Sequence, residues 1–170
     1  MDDRFRANQI AAQASERPPA MAPPYVYDYP MPAVGCDAVV LSTIDGREHV
    51  LLIRRGRDPF AGMWALPGGF LEPDETTEAG ARRELLEETG LVAADMTLLG
   101  VLSTPGRDPR GWVLSVAYMT RLDRALPVAA DDAEAVDWFP LDDLPPTAFD
   151  HAEAIAMAVR ALQASGDSTA

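Results

Sequence analysis

Apolar and polar positions along the chain alternate between strand-like and helix-like patterns only after residue 33. Val34–Ile44 is an almost unbroken apolar, β-rich run that stops at the turn dipeptide Asp45-Gly46, and His49–Arg54 (HVLLIR) resumes it, the pattern of a hairpin. Trp64–Leu66 predicts a short strand ahead of a break at Pro67-Gly68-Gly69. Glu75–Thr89 reads as a helix ending at Gly90. Further strands are expected at Thr97–Ser103, Trp112–Thr120 and Ala135–Phe139. A last helix, about Ala148–Ala164, carries Ile155, Val159 and Leu162 at helical spacing. Strict strand–helix alternation is missing, so the expected class is α/β with a mixed sheet sandwiched between helices rather than a doubly wound parallel sheet.

Residues 1–33 read differently. Pro18, Pro19, Pro23, Pro24, Pro30 and Pro32 forbid regular structure beyond a short initial helix. This stretch is expected to be a surface-draped arm, or one that packs on a second subunit through Tyr25, Tyr27 and Tyr29. The organisation is therefore an arm at 1–33, one domain at 34–164 and a polar tail at 165–170.

Composition narrows the classes. The 170 residues are 48% hydrophobic, which excludes a wholly disordered acidic chain and suits one domain with a real core. The formal charge is −13, from 27 acids and 14 bases, all of them arginine. Such a charge opposes duplex DNA or an anionic membrane as main partner. A single cysteine, Cys36, excludes an internal disulfide and a cysteine-based zinc cage. No run approaches the roughly 18 apolar residues of a membrane span, and the opening MDDRFRANQI lacks a signal peptide's apolar stretch. A soluble cytoplasmic protein is expected.

The charge is concentrated in two windows. Residues 69–91 hold seven acids against Arg82 and Arg83, and residues 131–153 hold eight acids and no arginine. In the first, Glu84, Glu87 and Glu88 stand at i, i+3 and i+4 and share one helix face within an arc of roughly 100°. Like charges so close repel, and near a helix C-terminus the dipole disfavours them further. Two readings remain open for them: a solvated acidic face, or a seat for hard divalent cations, which prefer oxygen ligands. Leu86 lies on the opposite side of the helix and is expected to be buried. Glu75 and Arg83 are spaced to pair across the start of the helix.

Residues 69–91, GFLEPDETTEAGARRELLEETGL, resemble the Nudix box, G-x5-E-x7-R-E-U-x-E-E-x-G-U with U a bulky aliphatic. Gly69, Glu75, Arg83, Glu84, Leu85, Glu87, Glu88, Gly90 and Leu91 fill every defined position. The resemblance implies a Nudix-type α/β/α sandwich that hydrolyses a nucleoside diphosphate linked to another moiety. It also implies Mg2+ or Mn2+ as cofactor, held by Glu84, Glu87, Glu88 and the Gly68 carbonyl, with Arg83 and Glu75 in support. A bound divalent ion screens diphosphate charge and lowers the pKa of an attacking water. Glu84 and Glu87 are the candidates for the base.

Three looser matches, Arg54–Phe70, Gly106–Tyr118 and Leu144–His151 (LPPTAFDH), resemble the ADP-ribose pyrophosphatases of that family and imply AMP and ribose 5-phosphate as products. Arg107 and Arg110 can hold phosphate oxygens bidentately, or else pair with Asp108 or solvent. Arg54, Arg55 and Arg57 carry the same two readings, and Arg54 is taken with Arg107, Arg110, Glu134 and His151 as the substrate-binding set. Glu134, in the loop before a strand, is a candidate for one further carboxylate, against simple solvation. His151 either touches substrate or makes a structural hydrogen bond. Trp64, Trp112 and Trp138 are expected in the core rather than stacked on a base. A small nucleotide is the expected partner, with no nucleic acid or membrane, and the resemblance implies a homodimer.

Overall fold

The computed structural model describes residues 27–123, 127–129 and 133–166. The chain divides into two units, Met1–Pro30 and Met31–Ala170. In the first, residues 27–30 form neither helix nor strand; the rest of the expected arm, with Tyr25, lies outside the described residues.

The second unit contains seven strands and two helices among its described residues: β1 Ala33–Ile44, β2 Arg47–Arg55, β3 Trp64–Ala65, β4 Gly68–Phe70, α1 Thr77–Thr89, β5 Thr97–Leu102, β6 Val113–Arg121, β7 Ala133–Pro140 and α2 His151–Gly166. The sheet runs β3-β2-β1-β6-β5, with β4 also on β1 and β7 also on β2. Only β1 and β6 pair in parallel, so the sheet is mixed, as expected. Asp45 and Gly46 both take positive φ (50° and 78°), which is what a two-residue hairpin turn between Ile44 and Arg47 requires.

The apolar run of β1 is buried on both faces of the sheet. Ala38, Val40 and Leu51 pack with Leu85 of α1, while Val39, Leu41, Val50 and Leu52 pack with Ala154, Ile155 and Ala158 of α2. Odd and even positions of one strand thus serve two helix layers, giving an α/β/α sandwich and explaining why this strand lacks polar alternation. Trp64 and Trp138 pack against these cores, as expected, whereas Trp112 is exposed.

The feature that creates the site is a split. β1 and β2 are paired from Leu41/Val50 to the turn; before Leu41, β1 instead pairs with β4, and beyond Val50, β2 pairs with β3. Residues 64–70 fill the opening between the diverging strands. The expected break at Pro67-Gly68-Gly69 is present but shorter, a correction: residues 66–67 separate β3 from β4, whereas both glycines lie in β4. They are glycines because of what they face. A Cβ on Gly68 would come within 2.5 Å of the Cys36 carbonyl oxygen, and one on Gly69 would collide with the Glu84 carboxylate.

Candidate active site

Helix α1 begins two residues later than expected. Thr76 is its N-cap and its hydroxyl accepts from Ala79 N–H, while Gly90 N–H closes the other end on Leu86 O at 2.8 Å. This leaves Glu75 outside the helix, where it accepts from Glu72 N–H and from Arg83 Nη2 at 2.8 Å. The same guanidinium donates to Glu84 at 2.8 Å, to Glu87 at 3.0 Å and to Phe70 O. Arg83 therefore ties three carboxylates and the end of β4 together.

The buried face of α1 carries Ala81, Leu85 and Glu88, so the expectation for Leu86 is corrected: it is 48% exposed. At 100° per residue, Glu88 falls about 20° from Ala81 on the face it shares with Leu85, and Leu86 lies about 100° beyond Leu85. Glu88 is 7% exposed and accepts from Gly68 N–H at 2.9 Å. Burial, reinforced by Glu84 and Asp37, pushes its carboxyl up to about 8, against the opposing effects of Gly68 N–H and Arg55. Burial raises Glu84 as well, opposed by its pairing with Arg83 and aided by Glu87 and Glu75. Glu84, Glu87 and Glu88 line a cleft with Arg55, Arg57 and Arg110.

Among the described residues no three His, Cys, Asp or Glu side chains converge as a ready-made metal site. The glutamates instead turn to Arg83 and to Gly68 N–H. Their chemistry nonetheless fits a hard divalent ion: three carboxylates share one cleft, and burial holds two of them toward the neutral form.

A second, smaller cavity lies across β4 and shares Gly68, Gly69, Phe70, Arg55 and Arg110 with the first. Its floor is polar. Asp37, 7% exposed, accepts a short hydrogen bond from Ser115 Oγ. His151, at the start of α2 and 5% exposed, stacks on Phe149 and accepts from Leu66 N–H through Nδ1 at 2.8 Å. Burial lowers its pKa, with Asp37 and Asp150 opposing, so the ring is neutral with its proton on Nε2. Arg107 makes two bonds to Asp150, at 2.8 and 2.5 Å, and Arg110 grips buried Asp108 through Nε and Nη2 while lying 4.6 Å from the Phe70 ring centroid.

Of the substrate-binding set, Arg107, Arg110 and His151 come together in this cavity. Arg54 and Glu134 line neither cavity. Arg54 points outward and bonds Gly62 O, because strand alternation directs Ile53 and Arg55 to the other face. Glu134 lies within β7 and is exposed, a correction to its expected loop position. The helix of His151 starts three residues after the expected Ala148, because Ala148 N–H bonds Trp64 O across the split. Asp37, Ser115, Phe70 and Phe149 were not anticipated. Asp37 had one available signal, as the sole charged residue inside the apolar run of β1.

Residues 34–158 match the family model described as NUDIX domain. This chain belongs to the Nudix family. It is 44% identical over 127 residues to the ADP-ribose pyrophosphatase of Methanocaldococcus jannaschii, covering 75% of this chain and 73% of that protein. It is 35% identical over 143 residues to the ADPR responsive transcriptional repressor NtrR of Acinetobacter baylyi, covering 79% of this chain and 56% of the repressor. Among solved structures, the NUDIX domain of Shewanella oneidensis NrtR complexed with ADP ribose matches with a TM-score of 0.75 at 30% identity, covering 91% of this chain and 98% of that one. The mixed sheet with flanking helices is thus the Nudix fold, and the protein is a Nudix hydrolase.

Proposed function

We propose that this Nudix hydrolase cleaves the diphosphate bond of ADP-ribose to AMP and ribose 5-phosphate with Mg2+ or Mn2+ bound. The observation that carries the reading is the pairing of a carboxylate cleft with a second, polar cavity across a wall of two glycines. A diphosphate fits beside the glutamates while an attached sugar enters the neighbouring space. The identity to an ADP-ribose pyrophosphatase supports the same substrate.

In this reading Glu84, Glu87, Glu88 and the Gly68 carbonyl hold the cation, which when bound screens the diphosphate and acidifies the attacking water. Arg83 keeps Glu84 and Glu87 in register with Glu75. Arg55 and Arg57 offset the charge of the diphosphate from the cleft wall. Water oxygen bonds to phosphorus, the bridging P–O bond breaks, and Glu84 or Glu87 takes the proton. The reading includes a cytoplasmic homodimer without nucleic-acid or membrane partners. No helix among the described residues is long and apolar enough to cross a membrane.

Incubating the protein with a nucleotide panel and Mg2+ tests this. ADP-ribose is expected among the best substrates by kcat/KM; preference for a nucleoside triphosphate or dinucleotide instead would replace it. A second reading, an ADP-ribose-sensing regulator, draws on the repressor match. Against it stand the complete box and the charge of −13. Tight DNA binding at physiological salt, together with no turnover, would favour it.

A further inference from the structure

Most charged groups of the second cavity are already spoken for. Arg107 is matched by Asp150, and Arg110 by Asp108. Both guanidiniums therefore have carboxylate partners, and a phosphate entering here would have to displace them. Two polar atoms are left over. Asp37 Oδ2 accepts from Ser115, but Oδ1 has no hydrogen bond; His151 Nδ1 accepts from Leu66 N–H, but Nε2 has none. These two free atoms lie 3.9 Å apart.

Neither atom is sealed away. Among the described residues, Glu48 Oε2 is the one fully enclosed side-chain oxygen or nitrogen without a partner. The free atoms of Asp37 and His151 therefore open into the cavity that both residues line. Their polarity is fixed as well. Ser115 anchors the carboxylate, leaving Oδ1 as an acceptor, and the Leu66 amide pins the imidazole so that Nε2 is a donor. A gap of 3.9 Å is too long for a direct hydrogen bond, yet one oxygen atom fits roughly 2.8 Å from each end. That oxygen must both accept and donate a proton. A hydroxyl does so; a phosphate oxygen, an ether or a C–H does not.

We propose that Asp37 and His151 together read one secondary hydroxyl of a ribose attached to the scissile diphosphate. The pair is a specificity determinant that selects a hydroxylated sugar and rejects its deoxy or phosphorylated counterpart. Gly68, shared by both cavities, places this hydroxyl site next to the glutamate cleft, so the sugar lies one linkage from the diphosphate. In the ligand-free protein a water can fill the gap, and the sugar hydroxyl would replace it with the same bonds. The inference rests on the sugar-nucleotide reading above but does not depend on which of the two riboses of ADP-ribose enters.

The test uses ADP-ribose analogues lacking one hydroxyl at a time from each ribose. They are measured with the full chain for kcat/KM and, without metal, for binding by calorimetry. In the wild type one analogue should lose roughly 10- to 100-fold, the effect of leaving a buried donor and acceptor unpaired. In Asp37→Asn, where Ser115 holds the amide oxygen and the NH2 faces another donor, that same analogue and the parent should differ by less than about 3-fold. Ser115→Ala, which frees the carboxylate without touching the hydroxyl, should weaken the discrimination in part.

Equal losses in wild type and Asp37→Asn for every analogue, or no loss in either, would overturn the proposal, and the wild-type series decides even if a variant does not fold. Should ADP-ribose itself prove a poor substrate, the substrate reading fails separately. The same series, run on whichever sugar nucleotide the panel selects, then decides the hydroxyl site on its own.

Discussion

The two cavities share a wall and differ in how their charges are balanced. In the glutamate cleft, Glu84 and Glu88 have raised pKa values because burial, helped by neighbouring carboxylates, outweighs the cations nearby. In the neighbouring cavity, Arg107 and Arg110 find carboxylates of their own, and His151 is neutral. One side keeps two carboxylates that burial holds toward the neutral form, and the other matches its arginines to carboxylates. Desolvated carboxylates favour a cation, while a matched compartment favours a neutral group that hydrogen-bonds. An acidic protein acting on an acidic substrate becomes consistent once the two tasks are separated across Gly68 and Gly69.

The largest expected effect tests the first half of that contrast. Glu87→Gln and Glu88→Gln should each reduce kcat/KM by about 100-fold or more, with weaker Mn2+ binding in a direct titration. Activity near wild type in both would place the metal elsewhere.

The second half is tested by stability. Arg107 is nearly buried against Asp150, so Arg107→Ala leaves an uncompensated carboxylate and should cost about 3 kcal/mol in urea unfolding. If Arg107 serves mainly as a phosphate clamp, KM rises instead while the unfolding midpoint stays in place.

A smaller effect concerns pH. With its folded pKa near 8 and an ordinary value of 4.5, Glu88 contributes stability to the metal-free protein that is complete below 4.5 and is lost as pH rises through 8. Glu88→Gln should therefore be more stable than wild type at pH 8, by on the order of 2 kcal/mol, and equal to it near pH 4. Thermal melts with chelator present check this; a difference independent of pH would mean that burial does not hold the proton.

The smallest effect concerns neighbouring arginines. Arg55→Ala should raise KM about 10-fold, whereas Arg54→Ala should stay within about 2-fold, since only Arg55 faces the cavities. Equal effects would mean that the parity of β2 does not govern the site.

The same contrast accounts for what was legible in the sequence. The glutamate cleft draws its carboxylates from one helix turn, so spacing alone put Glu84, Glu87 and Glu88 on one face. The hairpin was legible because Asp45-Gly46 is a local turn signal, and the core strands because apolar runs need no knowledge of their partners. What spacing could not show was which side of α1 the sheet covers. Leu86 was therefore expected inside and Glu88 was not. The second cavity collects Asp37, Arg55, Arg107, Ser115 and His151 from distant segments, joined only by the parallel β1–β6 pairing and by contacts across the split. No local pattern announces such a site. Arg54 and Arg55 look alike in the sequence for a related reason, since the facing of a strand depends on neighbours far along the chain.

The strand Gly68–Phe70 has a final consequence. Where two chambers are divided by a single backbone ribbon, any sideways movement of that ribbon enlarges one chamber at the other's expense. Gly68 also donates to Glu88 on the glutamate side, and Leu66, two residues earlier, donates to His151 on the other. The same short segment is therefore the footing of both chambers.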